Sequence, residues 1–106
     1  MPSMVRGPSD KTLQAIGKSL GDFQKDHPRA SIEMYRQNPA CIRLRIIDPD
    51  FKGMDRVARD ELLWKYLDGL DDEILAEVAF LLLLTPTEVK KSLANADFED
   101  RELSRL

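Results

Sequence analysis

The chain has 106 residues, of which 42% are apolar and 33% are charged, and its formal net charge is −3. This length is enough for one domain with a modest core, and the acidic balance excludes a general nucleic-acid binder, which needs several cations on one surface. The single cysteine, Cys41, excludes an intramolecular disulfide and a four-cysteine metal site.

The location follows from two further features of the sequence. A chain without a disulfide is typical of a reducing compartment. The longest apolar run, from Val78 to Leu84, is too short to span a bilayer, and no basic segment followed by an apolar stretch opens the chain. We therefore predict a cytoplasmic protein without a membrane partner.

The first predicted element is a helix that follows a short leader. Residues 1–9 contain two Met and two Pro and are predicted to be a flexible leader or a tag remnant outside the fold. Ser9 or Asp10 can cap a helix that His27-Pro28 ends. The apolar residues between them recur at helical spacing, namely Leu13, Ile16, Leu20 and Phe23.

Two alternating runs then predict a β-hairpin. Ile32 and Met34 alternate with polar neighbours, and Asn38-Pro39 supplies a turn. The second run alternates apolar side chains with arginines over Ile42, Arg43, Leu44, Arg45 and Ile46. Asp48-Pro-Asp50 ends this second strand.

The second half predicts two helices around an apolar strand. A broad apolar stripe marks a helix that ends near Gly69, and its members are Val57, Leu62, Leu63, Tyr66, Leu67 and Leu70. Asp71, Asp72 and Glu73 suit the first turn of a short helical segment. The strand comes next, and Thr85-Pro-Thr-Glu88 is a capping-box signal that predicts a third helix from about Pro86 to about Asn95.

The element order αββαβα predicts an α+β fold, a small two-layer sandwich in which helices pack on a three-stranded mixed sheet. We expect one domain over residues 10–96, followed by a charged tail over residues 97–106 that can be helical or frayed. Residues 1–47 carry a net charge of +4 and the remainder carries −7.

Four features together resemble the BolA-like family, whose fold is related to type II KH domains. They are Phe51-x-Gly53 followed by Arg59, the helix that carries Arg59, the apolar strand, and Thr85-Pro-x-Glu88 at the start of the last helix. The resemblance covers roughly residues 13–95. The chain differs from the family at the positions where its members carry histidines.

BolA-like proteins commonly carry an Arg-His pair where this chain has Arg59-Asp60, and a histidine where it has Glu77. Family members use that histidine when they share an iron-sulfur cluster with a monothiol glutaredoxin. A carboxylate is a poorer ligand than imidazole for such a cluster, which leaves Cys41 as the one conceivable ligand. The resemblance therefore implies an interaction module without the usual cluster ligation, with a monothiol glutaredoxin as one candidate partner.

An enzyme is not predicted. One His, one Cys and no phosphate-binding glycine loop do not assemble a nucleophile with its base or a nucleotide site, so no catalytic residue, cofactor or metal ligand is assigned. The acidic cluster of Asp68, Asp71, Asp72 and Glu73 lacks the spacing of a calcium loop. The Gly-x-x-Gly clamp of a KH domain is also missing after Gly53.

Both alternating sets of side chains in the last strand are apolar, so the second face of the sheet needs a cover. The terminal helix, through Val89, Leu93 and Phe98, or a second copy or another partner could supply it. We predict a non-catalytic protein-interaction or regulatory module that binds a protein partner, with a homodimer left open. The candidate partner surface is Tyr35, Cys41, Arg43, Arg45, Arg59, Asp60 and Trp64.

The alternative function is a nucleic-acid-binding module of KH-like fold. It would use a local basic face of the hairpin, formed by Tyr35, Arg36, Arg43 and Arg45. Because Asp48, Asp50 and Asp55 lie near the Gly53 turn and would repel phosphate, nucleic acid is not the expected partner.

Overall fold

A computed structural model describes residues 4–99, apart from the side chain of Asp97, and has an α+β fold with a three-stranded mixed sheet. The elements are α1 (Lys11–Asp26), β1 (Ser31–Asn38), β2 (Cys41–Ile47), a 3-10 turn (Pro49–Phe51), α2 (Arg56–Leu67), α3 (Asp72–Glu77), β3 (Val78–Leu84), α4 (Pro86–Val89) and α5 (Leu93–Glu99). The predicted fold class is confirmed.

The sheet has the order β1-β2-β3. The β1-β2 hairpin is antiparallel and places Met34 opposite Leu44. β3 returns parallel to β2 after α2 and α3 and places Leu81 opposite Leu44. Leu44 therefore lies at the centre of the sheet and anchors one apolar face.

The main core lies between this face and the helices α1 and α2. The predicted apolar positions of α1 are all buried, as are Phe51, Leu63 and Leu67. Local capping sets where the helices begin: the Asp10 carboxylate accepts a hydrogen bond from the Leu13 amide at 2.9 Å, and the Asp55 carboxylate accepts one from the Ala58 amide at 2.8 Å. Val57, which the sequence pattern placed in the apolar stripe of α2, is 64% exposed and was wrongly assigned.

The predicted third helix is broken. The capping box at Thr85 and Glu88 is present, but α4 ends at Val89 and a new helix, α5, starts at Leu93. The Ser92 hydroxyl accepts a hydrogen bond from the Asn95 amide at 3.1 Å, which is the interaction of a residue that begins a helix. The expectation of one continuous helix to about residue 95 was therefore wrong.

This break lets α5 cover the second face of the sheet. Phe98 is fully buried, and its ring lies 5.0 Å from the Tyr35 ring and 6.3 Å from the Phe80 ring. The prediction that the terminal helix covers this face is confirmed for Phe98. It is wrong for Leu93, which is 89% exposed.

The chain before α1 also contributes to the sheet. The Met34 amide donates to the Met4 carbonyl at 2.8 Å, and the Arg6 amide donates to the Met34 carbonyl at 2.9 Å. Residues 4–6 of the predicted leader thus lie along the outer edge of β1. Residues 1–3, and residues 100–106 of the predicted charged tail, lie outside the described residues.

Candidate functional site at the edge of β3

The outer edge of β3 is a strand edge without a backbone partner among the described residues. β3 pairs with β2 alone, and within residues 4–99 no backbone group pairs with its other edge. The Leu84 carbonyl points to β2 and accepts from the Asp48 amide at 2.8 Å. Because backbone groups alternate along a strand, those of Leu81 and Leu83 point away from the sheet. An unpaired apolar edge of this kind is a template for another strand.

A groove of about 530 Å³ follows this edge. Residues 79–84 of β3 form its floor, the first turns of α2 form one wall, and Glu88 and Ala94 lie on the other side. Five charged residues line it: Asp55, Arg56, Arg59, Asp60 and Glu88. The groove therefore combines an apolar strand with charged walls.

Arg59 and Glu88 join the two sides of the groove. The Arg59 Nη1 atom donates to Glu88 Oε1 at 2.6 Å and to the Leu83 carbonyl at 3.1 Å, while Nε donates to the Met54 carbonyl at 3.0 Å. The hydrogen bond from Arg59, followed by that from the Thr85 amide, lowers the pKa of Glu88 to about 2. Arg59 thus occupies one outward carbonyl of β3 and leaves the part of the edge before it accessible.

The α2 wall carries the remaining charge. Arg59 is neutralised by Glu88, so Asp55, Arg56 and Asp60 are left and carry a net charge of −1. Asp60 is half-exposed, and Trp64, one helical turn later and 37% exposed, lies on the same side of α2. Three residues of the predicted partner surface, Arg59, Asp60 and Trp64, are therefore at or next to the groove.

The hairpin part of the predicted partner surface is buried instead. Tyr35 is 0% exposed, Arg43 is 8% exposed and Arg45 is 3% exposed. The Tyr35 hydroxyl donates to the Phe98 carbonyl at 2.9 Å, and the Arg43 guanidinium lies 4.9 Å from the centre of the Phe80 ring. Tyr35 therefore packs against α5, Arg43 packs against β3, and little of any of the three side chains is accessible to a partner.

Arg45 is the most highly connected of the three side chains. It donates to Asn95 Oδ1 at 2.7 Å, forms ion pairs with Glu33 and Glu99, and lies 4.7 Å from the Phe98 ring centre. Burial by itself would raise the pKa of Glu33, but hydrogen bonds from Arg6 and Arg45 bring it below its ordinary value. The positive charge of Arg45, one of the cations that a nucleic-acid interface would use, is therefore neutralised by Glu33 and Glu99.

Cys41 lies at the other end of β2, beside the hairpin turn. Its thiol is half-buried and donates to Gln37 Oε1 at 3.4 Å. Glu77, which the resemblance aligned with a histidine, accepts from Arg36 Nη1 at 3.2 Å, and Arg36 also pairs with Asp10. The Glu77 carboxylate is thus engaged in an ion pair.

A second candidate site lies in the described part of the chain. Three side chains converge there closely enough to hold a metal ion: His27, Asp48 and Asp50. The sequence pattern did not bring them together, because His27 precedes a proline in a loop and lies 21 residues before Asp48. The groove was also missed. An unpaired strand edge consists of backbone groups, so the side-chain pattern of β3 gave no separate signal for it.

Comparisons with protein-family models, with curated proteins and with solved structures found no match for this chain. Within the described residues, every helix is too short or too polar to cross a bilayer.

Proposed function

We propose that this chain is a non-catalytic interaction module of BolA-like type, whose β3 edge receives an extended segment of a partner protein. The single observation that carries the proposal is the accessible outer edge of β3 in an apolar groove. Strand addition to a sheet edge is a recurrent mode of peptide recognition, in which backbone hydrogen bonds give affinity and side-chain contacts give specificity.

The two edges of the sheet differ in a way that supports one binding edge. Residues 4–6 hydrogen-bond to Met34 and occupy part of the β1 edge. The β3 edge has the Arg59 contact at Leu83 and is otherwise unpaired among the described residues. At about 3.3 Å per residue, the groove floor accommodates roughly five residues of a partner strand.

The groove also favours a particular chemistry in its occupant. The floor presents leucine and phenylalanine side chains, and the α2 wall carries a net negative charge near Asp60. An extended segment with apolar side chains and at least one Lys or Arg complements both features. Strands with these properties occur in many proteins, and a monothiol glutaredoxin is the partner that the resemblance implies.

The proposal does not include iron-sulfur ligation. Glu77 is paired with Arg36, so Cys41 is the one candidate cluster ligand that remains near the hairpin turn. One ligand does not hold a cluster. No observation favours the nucleic-acid alternative, because Arg43 and Arg45 are buried and in contact with aromatic rings.

Selection of a displayed library of random linear peptides against the protein tests the binding edge. The diagnostic variant is Leu82→Lys, because Leu82 lines the groove and a charged side chain on an edge strand blocks strand addition. The matched control is Leu93→Lys, which makes the same change at a residue that is 89% exposed and does not line the groove. Circular dichroism checks that both variants fold.

We expect enriched peptides to be apolar and basic, to lose binding to Leu82→Lys and to keep binding to Leu93→Lys. Hydrogen exchange should show new protection of the Leu81 and Leu83 amides in the complex. Equal binding by both variants, or a complex without that protection, would refute the edge. A dimer in analytical ultracentrifugation that Leu82→Lys dissociates would identify a second copy as the occupant instead.

A separate experiment tests the absence of cluster ligation. The protein is mixed anaerobically with a monothiol glutaredoxin and an iron-sulfur reconstitution mixture, and size-exclusion fractions are monitored in the visible range. We expect no chromophore to depend on this chain. A co-eluting chromophore that Cys41→Ala removes would contradict this part of the proposal.

A further inference from the structure

A histidine and two aspartates converge where α1 ends and β2 ends. His27 is the C-terminal cap of α1, and Asp48 and Asp50 flank Pro49 directly after β2. One ligand atom from each of the three residues lies within 4.8 Å of the others.

Asp48 is the unusual member of the cluster. Its side chain is 0% exposed. Its Oδ1 atom accepts from the Asp50 amide at 2.9 Å, and its Oδ2 atom has no hydrogen-bond donor among the described residues. A buried carboxylate oxygen without a hydrogen bond destabilises the folded state, so the site requires a compensating cation or proton donor.

His27 is held where it faces this oxygen. Its Nδ1 atom lies 3.2 Å from Asp48 Oδ2 and 3.1 Å from Asp50 Oδ2. The imidazole stacks on the Phe23 ring with centroids 4.3 Å apart and an angle of 14° between the rings. Packing therefore contributes to the ring orientation in addition to the contacts with the two carboxylates.

The outer oxygens of the two carboxylates are held by other groups, so His27 is the neighbour that the inner oxygens share. Asp50 Oδ1 is paired with the Arg29 guanidinium, while Asp48 Oδ1 is held by the Asp50 amide. Both Oδ2 atoms and the His27 Nδ1 atom therefore point to one region. Hydrogen bonds that hold the far side of each carboxylate are the usual way in which a protein orients metal ligands.

We infer that His27, Asp48 and Asp50 bind one divalent cation, with Zn²⁺ preferred, and that this ion links the end of α1 to the end of β2. An imidazole with two carboxylates suits Zn²⁺, whereas Ca²⁺ takes six to eight oxygen ligands. Tetrahedral ligands at about 2.0–2.2 Å from zinc lie roughly 3.3–3.5 Å apart. Two of the three separations, 3.1 and 3.2 Å, are already close to that value.

A water molecule can complete the tetrahedron, because Asp50 is exposed and gives the site access to solvent. The competing arrangement is a protonated His27 that neutralises Asp48 by itself. That arrangement predicts no metal binding, which makes the two directly distinguishable. The site is independent of the β3 groove, so either proposal can fail without the other.

Isothermal titration calorimetry with ZnCl₂ tests the site, using tag-free, full-length protein that has been treated with a chelator. We expect one Zn²⁺ per chain. Asp50→Asn should weaken binding by at least ~10-fold, since loss of metal-site partners typically has effects of that size or larger. The matched control is Asp72→Asn, which makes the same change at an exposed aspartate of the acidic cluster at α3. A second control, Cys41→Ser, tests whether the thiol is a zinc ligand. Both variants should bind Zn²⁺ as the wild type does.

Co²⁺ in place of Zn²⁺ gives a second readout, because tetrahedral Co²⁺ with a nitrogen ligand absorbs strongly in the visible range. His27→Ala should remove this band, and Zn²⁺ should raise the melting temperature of the wild type but not of Asp50→Asn. Asp48 is buried, so the interpretation rests on the Asp50 and His27 variants. The inference is overturned if chelator-treated protein shows neither binding heat nor a cobalt band, or if both variants bind metal as the wild type does.

Discussion

Replacement of Phe98 by alanine tests how α5 covers the second face of the sheet. Phe98 is fully buried, and the Arg45 and Arg6 guanidinium groups lie 4.7 and 5.4 Å from its ring centre. Truncation of a buried Phe in a core destabilises a protein by about 3–5 kcal/mol. We therefore expect Phe98→Ala to lower the free energy of unfolding by about 3 kcal/mol or more.

Urea unfolding followed by far-ultraviolet circular dichroism measures this loss. The matched control is Leu93→Ala in the same helix, where the side chain is 89% exposed and the expected change in the free energy of unfolding is within about 0.5 kcal/mol. A Phe98→Ala loss as small as that of Leu93→Ala would refute the packing of α5 on the sheet. It would also return Tyr35 and Arg45 to the accessible surface.

Two further predictions concern a single ion pair and a single turn. The pKa of Glu88 is lowered from 4.5 to about 2, so the stabilisation by its pair with Arg59 is fully present above pH 4.5 and is lost as the pH falls to about 2. Glu88→Gln should reduce the free energy of unfolding by about 1 kcal/mol at pH 7, a modest loss because the carboxylate is 43% exposed and partly screened by solvent. In urea titrations, the difference between variant and wild type should shrink as the pH falls from 4.5 to about 2. A difference that stays constant over this range would contradict the assignment. Gly53 has a φ of +82° and no atom within 4 Å of an added Cβ, so Gly53→Ala should destabilise by about 1 kcal/mol in thermal unfolding through backbone strain alone. Gly69→Ala, with equal space and no positive φ, should be neutral or slightly stabilising, and equal losses at both glycines would exclude strain as the cause.

The candidate site was predictable only in part. Arg59 and Asp60 were identified because they occupy positions of the family resemblance, and both line the groove. Arg43 and Arg45 were expected on the surface, since arginines that alternate with apolar residues in a strand usually face solvent. The structure buries Arg45 under acidic and aromatic side chains of α5, about 50 residues later in the chain, and places Arg43 against Phe80 of β3. No local pattern links these segments.

The helix boundaries, by contrast, were largely local. The caps depend on partners three residues away, so the sequence predicted Thr85 correctly and narrowed the first cap to Ser9 or Asp10, of which the structure has Asp10. The break between α4 and α5 was missed because the residues at 90–92 contain neither Gly nor Pro. The fold favours this break because it turns Phe98 toward Tyr35.

The amino-acid sequence by itself determined the order of the elements, the apolar face of α1, the hairpin and the capping box, since each depends on residues within one or two turns of one another. The tertiary structure decided which strand edge stays unpaired, which arginines are buried, and that His27 meets Asp48 and Asp50. These features require contacts between segments that are distant in the chain. Such contacts depend on how the helices and strands pack, and periodicity carries no information about that.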